Sequence, residues 1–134
     1  PRSTLFPYTT LFRSDEPGKS EFVERGHYYR MTIRMWLNKG EPILWTRPFY
    51  VSFGSMDMPE VSEDKTILTA LHRLDRECLI NGLFYGIQGM RIGGTRKIRI
   101  PPHLGYREKG VEGWIPPNAV LVAEIHVIEE RTTA

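Results

Sequence analysis

Gly86-Ile87-Gln88-Gly89-Met90-Arg91-Ile92-Gly93-Gly94, followed at once by Thr95-Arg96-Lys97-Ile98-Arg99-Ile100 and Pro101-Pro102, is the stretch on which the reading of this chain turns. Glycines this dense could serve a phosphate cradle, but no lysine pattern of that kind follows them. Thr95 to Ile100 reads as a strand with Ile98 and Ile100 inward, and Arg96, Lys97 and Arg99 as its solvated face. Beyond it come Leu104-Gly105-Tyr106, then Gly110 and Gly113, then Ile115-Pro116-Pro117-Asn118-Ala119-Val120-Leu121-Val122. The two proline pairs bracket a long irregular segment. Ala119 to Ile128 alternates again, with Leu121, Ala123, Ile125 and Val127 on one face, and is expected to be the last strand.

Upstream, His27 to Leu37 alternates strictly: Tyr29, Met31, Ile33, Met35 and Leu37 lie on one face, Arg30, Thr32 and Arg34 on the other. That is a half-buried strand. Asn38-Lys39-Gly40 is a turn, with Gly40 free to take a positive φ. Pro48 to Phe53 reads as a second short strand, and residues 54–61 as a loop. Ser62 has the character of an N-cap, with Glu63 and Asp64 in the favoured first turn. Ile67, Leu68, Leu71, Leu74, Cys78 and Leu79 recur at helical spacing, which predicts a helix from Glu63 to Ile80, with a short helical piece over Leu83 to Gln88. Strands, a helix, then strands again predict an α+β fold, an antiparallel sheet packed on a helix.

Composition fits one domain. The chain has 134 residues, 40% hydrophobic and 25% charged. Surface scaling allows about two-thirds of the extended chain's surface to be buried, enough for one core. No apolar run reaches the roughly 18 residues of a membrane-spanning helix, so no membrane segment is expected in this chain. The single cysteine, Cys78, excludes an internal disulfide and any multi-cysteine metal site. Thr4 to Ser14, TLFPYTTLFRS, matches the in-frame translation of a sequencing-library adapter. Residues 1–14 are therefore expected to lie outside the fold, residues 15–26 to be a lead-in loop, and residues 27–130 to form one domain. Without Arg2 and Arg13 the 18 basic residues fall to 16 and balance the 16 acidic ones. A neutral domain gives no electrostatic footprint for nucleic acid, and no nucleic-acid partner is expected. The native N-terminus is expected to be missing from this sequence, so the compartment stays open, and the sequence does not give the oligomeric state.

Groups for covalent, acid–base or metal chemistry are scattered. The histidines stand at positions 27, 72, 103 and 126, and His72, on the expected helix, has no partner four residues away for a zinc pair. Cys78, at an apolar helical position, reads as a small core residue. No cofactor is expected.

The quoted stretch resembles the signature of the FKBP-type peptidyl-prolyl cis-trans isomerases: a G-hydrophobic-x-G-M-x-hydrophobic-G-G turn, a basic strand, a P-x-x-x-x-Y loop ending at Tyr106, and I-P-P-N-A-x-L before the last strand. Order and spacing hold over about forty residues, and the resemblance continues more weakly across residues 26–130. It implies a twisted antiparallel sheet wrapped around a helix. Residues 55–78 are longer than the family's usual connection, which implies an extra helical extension before the family helix.

The resemblance also implies a site. Tyr106 falls on the loop tyrosine whose hydroxyl donates to a bound carbonyl, and is the expected catalytic residue. Leu79 and Ile80 fall on a Val-Ile pair at the helix start, Phe49 on a pocket phenylalanine, and Trp114 and Ile115 on the isoleucine pair beside the Pro-Pro rim. Ile33, Ile43 and Leu83 stand where the family has a tyrosine, a phenylalanine and the floor tryptophan. Leu44 replaces a buried acid, and Ala123 a phenylalanine. The pocket is therefore expected to be apolar but wider and less aromatic, unless Trp36, Trp45 or Trp114 refills it. The implied activity is isomerisation of Xaa-Pro bonds in proline-containing polypeptides, at a reduced rate and without covalent or metal catalysis. The alternative is a peptide-binding or chaperone-like module on the same fold, with little or no turnover.

Overall fold

The computed structural model describes residues 12–18, 20–47, 49 and 57–131. Six strands make one sheet: β1 (Phe12–Glu16), β2 (Tyr28–Leu37), β3 (Glu60–Val61), β4 (Leu68–Arg73), β5 (Thr95–Ile100) and β6 (Leu121–Arg131). Their order is β1-β5-β6-β2-β4-β3, and every pairing is antiparallel. A seven-residue helix, α1 (Asn81–Ile87), and a 3₁₀ turn (Pro102–Leu104) complete the described elements. The long central pair β2–β6 follows from strict alternation: Tyr29, Met31, Ile33 and Met35 on β2 and Leu121, Ala123, Ile125 and Val127 on β6 are all buried. Antiparallel sheets with one covered face take this period-two pattern.

The covered face carries α1. Gly82 and Gly86, four residues apart, lie on its sheet side, and Cβ atoms there would stand 2.5 Å from Ile100 Cγ2 and 2.3 Å from Ile98 Cδ1. These glycines serve close packing of helix on sheet. Leu83, Phe84 and Ile87 fill the remaining core from the helix. Arg96 corrects the expectation of a solvated basic face. It shares the inward side of β5 with Ile98 and Ile100, is only 4% exposed, and donates to the carbonyls of Gly86 (2.9 Å) and Gln88 (2.8 Å). It thereby satisfies carbonyls at the end of α1 that the short helix leaves without intrahelical donors.

The expected helix over Glu63 to Ile80, and with it the helical extension over residues 55–78, is not what residues 57–78 form. They contain the β3–β4 hairpin and an irregular run into α1. Leu68, Ala70 and His72 face the core, while the outward-facing Leu71 is also buried, its N–H held by Asp57 Oδ1 at 2.9 Å. A strand covered on both sides loses its alternation and imitates helical spacing. His72 thus lies on a strand. Ser62 and Asp64 cap a turn instead of a helix: Ser62 Oγ accepts from Ile67 N–H, and Asp64 accepts from the backbone and hydroxyl of Thr66 and from Ser62. Those bonds hold the Asp64 carboxyl at a pKa of about 2. Lys65 closes the turn with φ 68°. Asp75 caps the following run by accepting from the N–H groups of Glu77 and Cys78.

The helical piece expected over Leu83 to Gln88 is α1, starting two residues earlier. The expected strand over Pro48 to Phe53 lies outside the described residues except for Phe49, as do Ser55 and Met56. The N-terminal boundary moves as well. β1 pairs Ser14 with Lys97 and Glu16 with Thr95, so the sheet reaches into both the segment placed outside the fold and the lead-in loop. Among the described residues no helix is long and apolar enough to cross a membrane.

Candidate functional site

The irregular segment after β5 is a framed loop. Pro102 sits at the start of the 3₁₀ turn, and its carbonyl accepts from both Gly105 and Arg107 at 3.0 Å. Arg107 adopts φ 54°, and its carbonyl accepts from Asn118 N–H at 2.8 Å, tying the two ends of the loop together. Between them Val111 and Ile115 exchange both backbone hydrogen bonds at 2.8 Å, closing a small hairpin over Gly113. Gly110 is obligatory: φ is 59°, and a Cβ there would lie 2.3 Å from the Ile115 carbonyl oxygen. This frame holds Tyr106, Trp114 and Ile115.

An aromatic stack faces it. Phe49 lies between Trp45, with centroids 5.1 Å apart and planes at 21°, and Trp114, at 5.9 Å and 16°. Tyr106 meets Phe49 at 6.4 Å and 56°. Trp114 is oriented by its indole N–H, which donates to Thr46 Oγ1 at 2.8 Å. Trp45 is held from the far side, where its backbone N–H donates to the Lys65 carbonyl of the β3–β4 turn. Offset stacking and a satisfied indole make such a group rigid as well as apolar.

All nine residues expected at the site join one apolar cluster. Ile33, Ile43, Phe49, Leu79, Leu83 and Ile115 are buried in it, and Ile80, Tyr106 and Trp114 are half-buried against it. Ile80 immediately precedes α1 and stands as its N-cap in extended conformation (φ −61°, ψ 152°). Leu44 does not join: it is exposed, and Trp45 takes the inward position beside it. Trp45 and Trp114, two of the three tryptophans named as possible replacements, sandwich Phe49. Trp36 does not contribute; it lies on the outer face of the sheet beneath Arg34 and Lys97. Thr46, which orients Trp114, escaped the sequence reading, and Trp45 stood in it only as one of three candidate replacements. The signal available was the alternation Ile43-Leu44-Trp45.

The chemistry of the site is that of a dry, neutral surface. Burial pushes the Tyr106 phenol far above its ordinary value, so it stays protonated at physiological pH. Its hydroxyl has no hydrogen-bond partner among the described residues, which leaves it free to donate to an incoming acceptor. Groups of three or more metal-ligating side chains are absent among the described residues.

Comparison with known proteins gives the family and the fold. Residues 62–128, half of the chain, match the family model of the FKBP-type peptidyl-prolyl cis-trans isomerases. The chain is 55% identical over 51 residues to the mouse (Mus musculus) peptidyl-prolyl cis-trans isomerase FKBP9, covering 38% of this chain and 9% of that protein. It is 45% identical over 59 residues to FKBP15-3 of Arabidopsis thaliana, covering 44% of this chain and 41% of that protein. The chain thus matches less than half the length of these curated relatives. Among solved structures, a peptidyl-prolyl cis-trans isomerase from Pseudomonas syringae superposes with a TM-score of 0.63 at 19% identity, covering 91% of this chain and 79% of that one; at this identity the likeness shows the fold.

Proposed function

Because the chain belongs to the FKBP-type peptidyl-prolyl cis-trans isomerase family, we propose that it accelerates cis–trans exchange of Xaa-Pro bonds in polypeptides at the site formed by Tyr106, Ile80 and Trp114 over Phe49. The barrier is about 18–20 kcal/mol for a planar amide and comes from C–N double-bond character. Lowering it needs no nucleophile. It needs a surface that takes the proline ring out of water and holds the flanking chain while the amide twists. The Trp45–Phe49–Trp114 stack, Leu83 and Ile115 supply the apolar floor. Tyr106, neutral and without a hydrogen-bond partner among the described residues, donates to a carbonyl oxygen of the bound chain. The backbone N–H of Ile80, at the extended residue before α1, is the second donor the site offers. In the twisted amide the carbonyl loses resonance with nitrogen, so a site that solvates the amide poorly favours the twisted form over either planar one.

The observation that carries this reading is the Tyr106 hydroxyl, unpartnered among the described residues, beside the Phe49 and Trp114 rings. A second reading rests on a different observation. Phe49 is 2% exposed and Trp45 fully buried, so the floor is closed by Trp114 in the free protein. A site that binds peptide through this closed stack without turnover would make the chain a binding module. Exchange NMR on a short Xaa-Pro peptide separates the two. Accelerated exchange supports isomerase activity; saturable peptide binding without acceleration supports the module.

A further inference from the structure

The small hairpin that carries Trp114 and Ile115 has a second side. There an apolar groove of about 640 Å³ runs from Trp114 and Ile115 across Pro116 and Pro117 to Leu37 at the end of β2. A smaller one of about 280 Å³ continues it from Leu37 and Pro116 to Ala119 and Val120. The two share Leu37 and Pro116, so they form one channel that begins at the candidate site. Its walls are fixed. Asn38 N–H donates to the Val120 carbonyl at 3.0 Å, and Leu37 and Glu41 are bridged at 2.8 Å, which lock the β2 turn against the strand leading into β6. The rim charges alternate in sign: Lys39 and Glu41 on one side, Lys109 and Glu112 on the other.

We propose that this channel binds the segment of substrate polypeptide flanking the isomerised proline, and that it selects apolar, uncharged residues there. The proposal rests on the isomerase reading of the site and extends it from one dipeptide to a longer stretch. Three features carry it. The channel shares Trp114 and Ile115 with the site, so a chain leaving the site enters it. Its apolar lining is Leu37, Pro116, Ala119 and Val120, while the lining charges Lys39, Glu41, Lys109 and Glu112 cancel and give no preference for an acidic or basic partner. Prolines and backbone hydrogen bonds hold it open, so an extended chain binds without an ordering cost to the protein.

The test compares the full chain on a blocked Xaa-Pro tetrapeptide with the same peptide lengthened by apolar residues on the N-terminal or the C-terminal side. One lengthened peptide should show a kcat/KM about tenfold higher, the equivalent of roughly 1.4 kcal/mol or part of one buried aliphatic side chain. Lengthening with aspartates should abolish the gain. Leu37→Ser, and separately the exposed Pro116→Asp in case the first variant unfolds, should remove the gain while leaving tetrapeptide turnover within about twofold. Turnover of the tetrapeptide with no gain for either lengthened peptide would overturn the channel and leave the isomerase reading standing. If no peptide is turned over, the isomerase reading falls, and peptide affinity decides the channel: it stands if Leu37→Ser weakens binding of the lengthened peptide and falls if it does not.

Discussion

Replacing Gly82 by alanine should destabilise the fold, and replacing Gly86, one turn later on the same helix face, should not. At Gly82 a Cβ would stand 2.5 Å from Ile100 Cγ2, 2.9 Å from Ile100 Cγ1 and 3.0 Å from the Leu104 carbonyl oxygen. Both isoleucine atoms hang on the same Cβ, so rotating χ1 exchanges one close contact for another, and the backbone oxygen cannot move aside. The helix must lift from β5. Overpacking costs about 1–3 kcal/mol, and a contact that neither a rotamer change nor the backbone relieves falls in the upper part of that range, about 2–3 kcal/mol. The gain in helix propensity from Gly to Ala returns about 1 kcal/mol. The net loss should be about 1–2 kcal/mol. At Gly86 the one severe contact, 2.3 Å, is with Ile98 Cδ1, the free end of a side chain whose next atoms are 3.4 and 3.5 Å away. A χ2 rotation relieves it, the propensity gain remains, and the net effect should lie within about 0.5 kcal/mol. Urea unfolding reads the difference, which at an m-value of about 2 kcal/mol per molar is a midpoint shift of about 0.5–1 M. A Gly82→Ala protein as stable as Gly86→Ala would refute the view that Gly82 sets the distance between helix and sheet.

Arg96→Leu should cost about 2–4 kcal/mol in the same assay, since it strips the Gly86 and Gln88 carbonyls of a buried donor; a neutral result would contradict the role given to Arg96. His27 Nδ1–H donates to Glu130 Oε2 at 2.8 Å, with Glu24 at 3.7 Å, and the Glu130 bond raises its pKa above 6.5. A raised histidine stabilises the fold below the unfolded-state value and loses that contribution as pH climbs through the folded-state value. The difference in melting temperature between wild type and His27→Gln should therefore be larger at about pH 5.5 than at about pH 8.5; a pH-independent difference would rule out the charged pair.

Strands β2, β5 and β6 were legible because each buries one face, and a period of two survives in the sequence when only one face is covered. β4 was not, because Leu71 is buried on the side opposite Leu68, Ala70 and His72, and apolar residues at irregular steps of three and four then look helical. The turn Ser62 to Thr66 reinforced the error, since serine and aspartate satisfy free N–H groups equally well at a turn and at a helix start. Arg96 lay in plain alternation with Ile98 and Ile100, yet its charge outweighed its position in the reading; only the helix end stacked above β5 gives a buried guanidinium its acceptors. The residues of the candidate site that lie on the loop could be named because that loop is built from residues with narrow backbone tolerance, Gly110, Gly113 and the proline pairs. The place of Trp45 under Phe49 was not legible, because it depends on how residues distant in the chain close over it.

The central claim is that Tyr106 lends its hydroxyl to a bound proline peptide, and the cis-to-trans rate of a short Xaa-Pro peptide with wild type and Tyr106→Phe tests it most directly. The hydroxyl has no partner among the described residues, so its removal leaves no orphaned group and the melting temperature should hold. A lost hydrogen bond to substrate of about 1 kcal/mol should lower kcat/KM about fivefold. An unchanged rate from a folded Tyr106→Phe protein would contradict the account.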